Sequence, residues 1–395
     1  MQNHHSILIV GGGAGGISVA ARLMNQPNPP DVALIEPSKR HYYQPLWTLV
    51  GAGVFDKETT ARPQEDYVPD GVKWLQTKVK EFLPDENAVV TEDGERHSYD
   101  QLVVAVGMQL NWSQVEGLEG NVGKNGIVSN YSFRTVDSTW EVLRSFKGGN
   151  AIFTFPATPI KCAGAPQKIM YLADDILRRN GVREKSKVIY AAASAGIFGV
   201  QKYARALNKI VERREIETHF RHDLVAIDAK KKTATFRHLD SDKTLSLDYE
   251  VIHVVPPQSA PDVVKKSKLA NAEGWVEVHK HTLQHVRYPN VFALGDASSL
   301  PTSRTGAAVR KQAPVLTENL LSFRSKQKLA ASYDGYASCP LITGFGKLIL
   351  AEFDYDGKPA ETFPFDQAQE RYSMYALKAY GLPEAYWNGM LRGRM

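Results

Sequence analysis

Five glycines fall within six positions, Gly11-Gly12-Gly13-Ala14-Gly15-Gly16, directly behind the apolar run Ser6 to Val10. After them Ile17, Ala20, Ala21 and Leu23 recur at helical spacing. A strand, a glycine turn and a helix in this order leave few folds open. Gly11 permits the tight turn, Gly13 lets the backbone approach a ligand closely, and Gly16 lets the helix pack against the sheet. Gly15 belongs to the same turn. The helix N-terminus carries free N–H groups and the positive end of the dipole, which favour a phosphate. A second strand, Val32 to Ile35, ends at Glu36, spaced to accept a ribose hydroxyl. The pattern predicts a dinucleotide-binding unit at the N-terminus.

Two later segments extend that unit. Leu102 to Val106 is a buried strand running into Gly107, and Asn290 to Leu294 is a strand ending in Gly295-Asp296. In flavoproteins with two dinucleotide-binding domains such an aspartate bonds the ribityl chain, and the next helix points its N-terminus at the flavin. Here that helix is expected after Thr305-Gly306-Ala307-Ala308. The expectation is therefore FAD, bound by a discontinuous domain of residues 1–115 and 275–325. A second unit is expected over 116–274, with a strand at Val188 to Ala191 and a helix over Val200 to Ile210. Its turn, Ala192-Ala193-Ser194-Ala195-Gly196-Ile197-Phe198-Gly199, lacks the glycine fingerprint, and alanine methyls would hold a pyrophosphate away. The reading is a Rossmann-like domain with a degenerate NAD site. Residues 326–395 form a separate C-terminal segment, rich in aromatics and glycine.

The chain's 395 residues suffice for two or three domains. Its net charge of +5 is mild, and Lys230-Lys231-Lys232 and Lys265-Lys266 read as solvated loop lysines, so nucleic acid is not expected as a partner. No apolar run approaches the roughly 18 residues of a membrane span. No signal or transit peptide is read ahead of the first strand, so the expected location is the cytoplasmic side. The histidines show no metal-ligand spacing, and no metal is expected.

Only two cysteines are present. Cys162 lies in a loop between Pro159 and Gly164-Ala165-Pro166, leading into a helix from Gln167, with Lys161 beside it. Those surroundings lower a thiol pKa. Cys339 follows Tyr333-Asp334-Gly335-Tyr336 and precedes Pro340, a turn-rich and partly polar setting. A redox pair is favoured over two inert core thiols. A thiolate beside a flavin can hand over two electrons and leave an oxidised sulfur. Without a nicotinamide fingerprint, a quinone is the natural electron acceptor.

Nearly the whole chain resembles the sulfide:quinone oxidoreductases, most closely the two-cysteine, mitochondrial-type branch of the FAD-dependent pyridine nucleotide-disulfide oxidoreductases. The resemblance is carried by His41-Tyr42-Tyr43-Gln44-Pro45 with Thr48 to Gly53, by Phe153 to Pro156 with Lys161 to Leu172, and by Tyr333 to Leu341. It continues through Ile349 to Tyr355, Glu361 to Asp366 and Tyr386-Trp387-Asn388. It implies an α/β fold of two Rossmann-like, glutathione-reductase-like domains plus a C-terminal membrane- and quinone-side segment. It implies that Cys162 and Cys339 are joined at rest by a disulfide or sulfur-inserted bridge. Cys339 would carry the persulfide and Cys162 would be the thiolate facing the flavin. Gly15, Gly16, Glu36, Gln44, Val79 and Asp296 match positions that contact FAD, and Arg304 falls where a related branch has a lysine. Other branches have a third, upstream cysteine that this chain lacks, which argues for non-covalent FAD.

The implied partners are sulfide, ubiquinone or menaquinone, a sulfur acceptor such as sulfide, sulfite or a small thiol, and a membrane surface. Tyr372, Tyr375, Tyr380, Tyr386 and Trp387 lie among Arg371, Lys378, Arg392 and Arg394, which suits a peripheral membrane contact; an ordinary packed helix is the alternative. The quinone pocket is expected near Phe345, Phe353 and Tyr355. Type II NADH:quinone oxidoreductases share the architecture and remain an alternative, as do a sulfide dehydrogenase with a cytochrome partner and a silent flavoprotein that carries sulfur.

Overall fold

A computed structural model describes residues 3–241 and 243–395. The N-terminal apolar run becomes the strand Asn3–Val10, whose last four side chains are buried. It lies inside a seven-stranded sheet with the order 73–75, 32–35, 3–10, 96–104, 88–91, 79–83. Val291–Ala293 joins that sheet beside the end of strand Arg96–Val104. The first four strands of that order and Val291–Ala293 pair in parallel, while the two at the far edge are antiparallel. Parallel strands are covered on both faces, which is why these segments read as continuous apolar runs. In register, Val10 lies opposite both Ile35 and Val104, so Gly11, Glu36 and Gly107 emerge at one edge of the sheet. Ligands of open α/β sheets bind outside the carboxyl ends of the strands.

A second, wholly parallel sheet has the order 127–128, 251–253, 149–155, 186–192, 217–220. Strand Ser186–Ala192 and helix Gln201–Arg213 reproduce the strand–turn–helix plan read from the sequence. The two Rossmann-type sheets confirm the expected α/β class.

Cys339 departs from its expected turn setting. It lies in strand Ala337–Gly344, paired antiparallel with Lys347–Phe353, and is 1% exposed. The turn residues Asp334 and Gly335 end just before the strand. The apolar residues around the cysteine, Leu341 and Ile342 among them, are buried in the main core with helix Ala165–Arg179.

The C-terminal segment also corrects an expectation. Helix Tyr372–Ala376 runs on through two π-type turns, Leu377–Gly381 and Ala385–Gly389. Tyr372 and Tyr380 are exposed, but Tyr375, Tyr386 and Trp387 are buried. Trp387 packs on Tyr67 under the Arg62 guanidinium, and Tyr386 packs on Tyr43. Only two of the five aromatics therefore face outward. Among the described residues no helix is long and apolar enough to cross a membrane.

A buried ion network joins these parts. Asp174, on the Ala165–Arg179 helix, has no exposed side-chain surface and accepts from Arg178 at 2.9 Å, Arg183 at 2.5 Å and Arg214 at 2.7 Å. Arg214 also bonds Asp175 at 2.7 Å and the Thr343 carbonyl at 2.7 Å, while Phe345 N–H donates to Asp175 at 2.8 Å. Burial alone would raise the Asp174 pKa, but the three guanidiniums outweigh it and hold the carboxyl below its ordinary range. Its stabilisation is thus present above the ordinary carboxylate range and is lost as pH falls through the depressed value. Asp174→Ala strands buried guanidiniums and is expected to cost about 3–5 kcal/mol in denaturant unfolding. The variant should also lose less stability than the parent on acidification.

Candidate active site

At the turn after the first strand, Gly11 has φ +101°, and a Cβ there would come within 2.5 Å of the Ala105 carbonyl. A Cβ on Gly16 would come within 1.8 Å of the Gly11 carbonyl, so the helix crosses its own turn at a distance only glycine allows. Gly13 differs: nothing lies within 4 Å of where its Cβ would be. The helix Ala14–Met24 starts with no side-chain cap, leaving its first N–H groups free for an anion. Gly15 rests on Leu294. Glu36 accepts from Gly12 N–H and Ser38 N–H, each at 2.7 Å, and burial raises its pKa. An open glycine cradle, uncapped N–H groups and a carboxylate at the second strand's end fit a dinucleotide.

The other end of the site comes from the later strand. Gly295, at φ +68°, turns the chain so that Asp296 lies in a short turn ahead of helix Gly306–Arg324. Thr305 caps that helix through Ala308 N–H. Burial raises the Asp296 pKa against the opposing charges of Lys161 and Arg304. Gly107 has φ +69° and open space around it, and Val79 begins the edge strand Val79–Leu83. Gln44 accepts from Lys161 Nζ at 2.6 Å. The Arg304 guanidinium stacks 4.0 Å above Trp275 and donates to the Asp296 carbonyl at 3.2 Å. Its own carbonyl accepts from Cys162 N–H at 2.8 Å, so Arg304 links the cysteine loop to Asp296.

Cys162 itself has φ +50°, a left-handed backbone uncommon for a residue with a side chain. Its carbonyl accepts from Ala165 N–H at 2.8 Å as the helix begins. Cys339 reaches it because of Gly164: a Cβ there would meet the Cys339 sulfur at 2.3 Å. The two thiols face each other closely enough to shift each other's titration. That contact, followed by Lys168, depresses the Cys162 pKa well below its usual range despite burial. The same contact, followed by burial, raises that of Cys339. The pair therefore loses its first proton easily and holds its second tightly.

The cation at the sulfur is not the one expected. Lys161 turns to Gln44 and lies over the Trp47 ring, whereas Lys168 Nζ stands 3.2 Å from the Cys162 sulfur. Both Lys168 and Lys378 are buried. Burial opposes the charge on Lys168, but the two cysteines outweigh it and raise its pKa. Lys378 donates to the Pro45 carbonyl at 2.7 Å. Burial, then the neighbouring Lys168 charge, pushes Lys378 down to about 7. Sequence reading assigns Lys168 no role at the sulfur and sets Lys378 among the membrane-facing basic residues, whereas Lys378 is buried beside the pair. Lys168 had a signal, since it lies on the helix that Cys162 leads into; Lys378 had none, because its approach depends on the C-terminal segment folding back.

The three aromatics expected to line one quinone pocket fall in two places. Phe353 and Tyr355 border a cavity of about 670 Å³ together with Trp275 and Arg304. Phe345 borders another, of about 290 Å³, with Trp140, Arg179 and Tyr375. The cause is topological: Phe345 sits in the turn of the hairpin whose strand Lys347–Phe353 carries Phe353 to the opposite end.

Residues 5–139 match the pyridine nucleotide-disulphide oxidoreductase family. The mitochondrial sulfide:quinone oxidoreductase of Mus musculus is 48% identical over 393 residues, spanning 99% of this chain and 87% of that protein. Its counterpart in Dictyostelium discoideum is also 48% identical, over 100% of this chain and 87% of its own length. The chain belongs to the sulfide:quinone oxidoreductase family. As a member it is an FAD-dependent oxidoreductase, and the resemblance seen in its motifs is borne out. The X-ray structure of the sulfide:quinone oxidoreductase from Aquifex aeolicus, 21% identical, superposes with a TM-score of 0.81 over 99% of this chain and 92% of that one. At that identity it shows the shared sulfide:quinone oxidoreductase fold.

If Lys168 holds the first thiolate, Lys168→Met should raise the pH at which the reduced protein forms it by about 1–3 units. The rate of iodoacetamide alkylation against pH measures this, and an unchanged profile would remove the lysine from that role.

Proposed function

We propose that this protein oxidises sulfide at the Cys162–Cys339 pair, passes two electrons by way of FAD to ubiquinone or menaquinone, and releases sulfane sulfur to an acceptor. The observation that carries this reading is the dithiol itself: two facing sulfurs, one beside a buried ammonium, linked through Arg304 to Asp296. In the resting oxidised state the sulfurs share a bridge. Hydrosulfide attacks the Cys339 sulfur; a new S–S bond forms, the bridge bond breaks, and Cys162 leaves as a thiolate. The sulfide sulfur is thereby oxidised to the sulfane level and the Cys162 sulfur is reduced. Lys168 stabilises that leaving thiolate, and the depressed Cys162 pKa suits it as the leaving group. When bound, FAD would supply the two-electron acceptor needed for the bridge to re-form once the sulfane sulfur has left Cys339, with quinone as the final acceptor. A second nucleophile, such as sulfide, sulfite or a small thiol, takes the sulfane sulfur from Cys339.

For the cofactor, the residues proposed are Gly11, Gly13, Gly15 and Gly16 at the pyrophosphate and Glu36 at a ribose. Asp296 and Gly295 serve the ribityl chain, with Gln44, Val79, Gly107 and Arg304 around the remainder. FAD is held non-covalently. The same proposal divides the chain into an FAD-binding domain of 1–115 and 275–325, a second domain of 116–274 without a working nicotinamide site, and a C-terminal segment of 326–395. Exposed Tyr372 and Tyr380 support a peripheral membrane contact, with quinone entering from that side. Placement on the cytoplasmic side is part of the proposal.

The testing experiment is anaerobic stopped-flow at the flavin band near 450 nm. Sulfide should bleach the flavin of the purified holoprotein and a soluble quinone should restore it; bleaching by NADH alone would instead support the type II dehydrogenase reading. Cys162→Ser and Cys339→Ser should each keep FAD bound yet slow sulfide-driven bleaching by on the order of 10³-fold or more. Unimpaired bleaching in both would end the dithiol mechanism. Gly13→Ala meets no protein atom, so its far-ultraviolet circular dichroism should match the parent while FAD affinity falls on the order of tenfold or more. Equal affinity would mean that the pyrophosphate lies elsewhere.

A further inference from the structure

Two side chains from the segments that carry the family resemblance have no part in the chemistry above. His41 and Tyr386 are 345 positions apart, yet Tyr386 Oη contacts His41 Nε2 in the interior. His41 Nδ1 lies 3.0 Å from Gln64 Oε1, and Gln64 Nε2 lies 2.8 Å from the Gly12 carbonyl. All three side chains are buried. The chain of contacts therefore runs from the C-terminal segment to the middle of the glycine turn.

Only one arrangement of protons satisfies it while the histidine is neutral. A carbonyl can only accept, so Gln64 must present its amide nitrogen to Gly12. Its oxygen then faces His41, which must carry its proton on Nδ1. That leaves Nε2 as an acceptor, and the Tyr386 hydroxyl must donate to it. With the histidine neutral, reversing any member would set two acceptors or two donors against each other in a buried place. The arrangement requires neutral histidine, and burial pushes His41 down to about 4. On the far side, Gly12 N–H donates to Glu36 at 2.7 Å. The Gly12 unit is thus held through both its N–H and its carbonyl, and the N–H groups that follow keep their aim at the position of the phosphates.

We propose that Tyr386, His41 and Gln64 are positioning residues that form a one-directional hydrogen-bond relay, through which the C-terminal segment sets the pyrophosphate turn Gly11–Gly16 for FAD. This rests on the reading that the turn binds the FAD pyrophosphate. The segment is then a working part of the cofactor site and not only a cover. Trp387 is the internal control, since it packs edge-on against His41, with ring centroids 5.6 Å apart, and stands outside the hydrogen-bond chain.

The test is phosphorus NMR of FAD bound to the holoprotein, with flavin fluorescence following FAD release on dilution. Tyr386→Phe leaves the His41 acceptor unpaired, and should shift the phosphorus resonances and speed FAD release on the order of tenfold. Trp387→Phe should leave the resonances in place. Gln64→Leu cuts the chain at its other end and should move the same resonances, which keeps the test decisive if Tyr386→Phe does not fold. Unmoved resonances with an unchanged release rate in the relay variants would overturn the proposal. So would an equal shift in Trp387→Phe, because packing alone would then account for the effect. Parent protein whose bound FAD keeps the phosphorus resonances of free FAD would instead refute the pyrophosphate site, a separate failure.

Discussion

A carboxylate with no exposed surface helps bring the two cysteines of this chain together. Cys162 enters the site at the head of one helix and Cys339 on a strand from a distant part of the chain, and neither segment has a local reason to find the other. Asp174 and Asp175 hold Arg214, and Arg214 holds the Thr343 carbonyl at the far end of the Cys339 strand. The helix and the hairpin are thus bonded about three helical turns from the sulfurs, and Gly164 removes the last steric obstacle at the sulfurs themselves. Charge at one end of the interface and the missing methyl at the other let the strand's cysteine meet the one at the head of the helix.

That geometry sets the electrostatics. Two buried lysines near two sulfurs would repel each other with little water to screen them. The conflict is resolved by unequal protonation: Lys168, in contact with Cys162, keeps its charge, while Lys378 titrates near neutrality. The site can therefore hold one anionic sulfur without also holding two fixed buried cations. In the proposed bridge, one sulfur leaves easily and the other retains its bond, an asymmetry that would direct a nucleophile to one end.

Much of the fold was legible because its signals are local. The run Ser6 to Val10, the glycines after it and Glu36 form one continuous stretch, and Gly295-Asp296 follows its strand directly. The helix after Cys162 and the second strand–turn–helix unit were legible on the same terms. What escaped were contacts made by the fold rather than by neighbours in sequence. Cys339 read as a turn residue because Asp334 and Gly335 precede it, although the strand that buries it starts two residues later. Lys161 was read as the cation because it adjoins Cys162 in sequence, but adjacency says nothing of side-chain direction at a left-handed residue, and Lys168 lies at the sulfur. Phe345 and Phe353 looked like one group, and a hairpin sends them to opposite ends. The aromatics near the C-terminus looked uniform, and only Tyr372 and Tyr380 stayed outside.

The strand Val291–Ala293 carries a consequence for the order in which the molecule is made. Its place beside Leu102–Val104 is inside the first sheet, yet it is synthesised after the whole of the second sheet. Until it emerges, the end of strand Arg96–Val104 keeps unpaired backbone groups on one side, the kind of edge that recruits stray strands. The second Rossmann-type unit has no such debt to later sequence for its five strands and can close first. A ribosome-bound chain would then carry a finished second sheet beside an open first one, and the edge proposed to hold FAD would be complete only once nearly three-quarters of the polypeptide had been made.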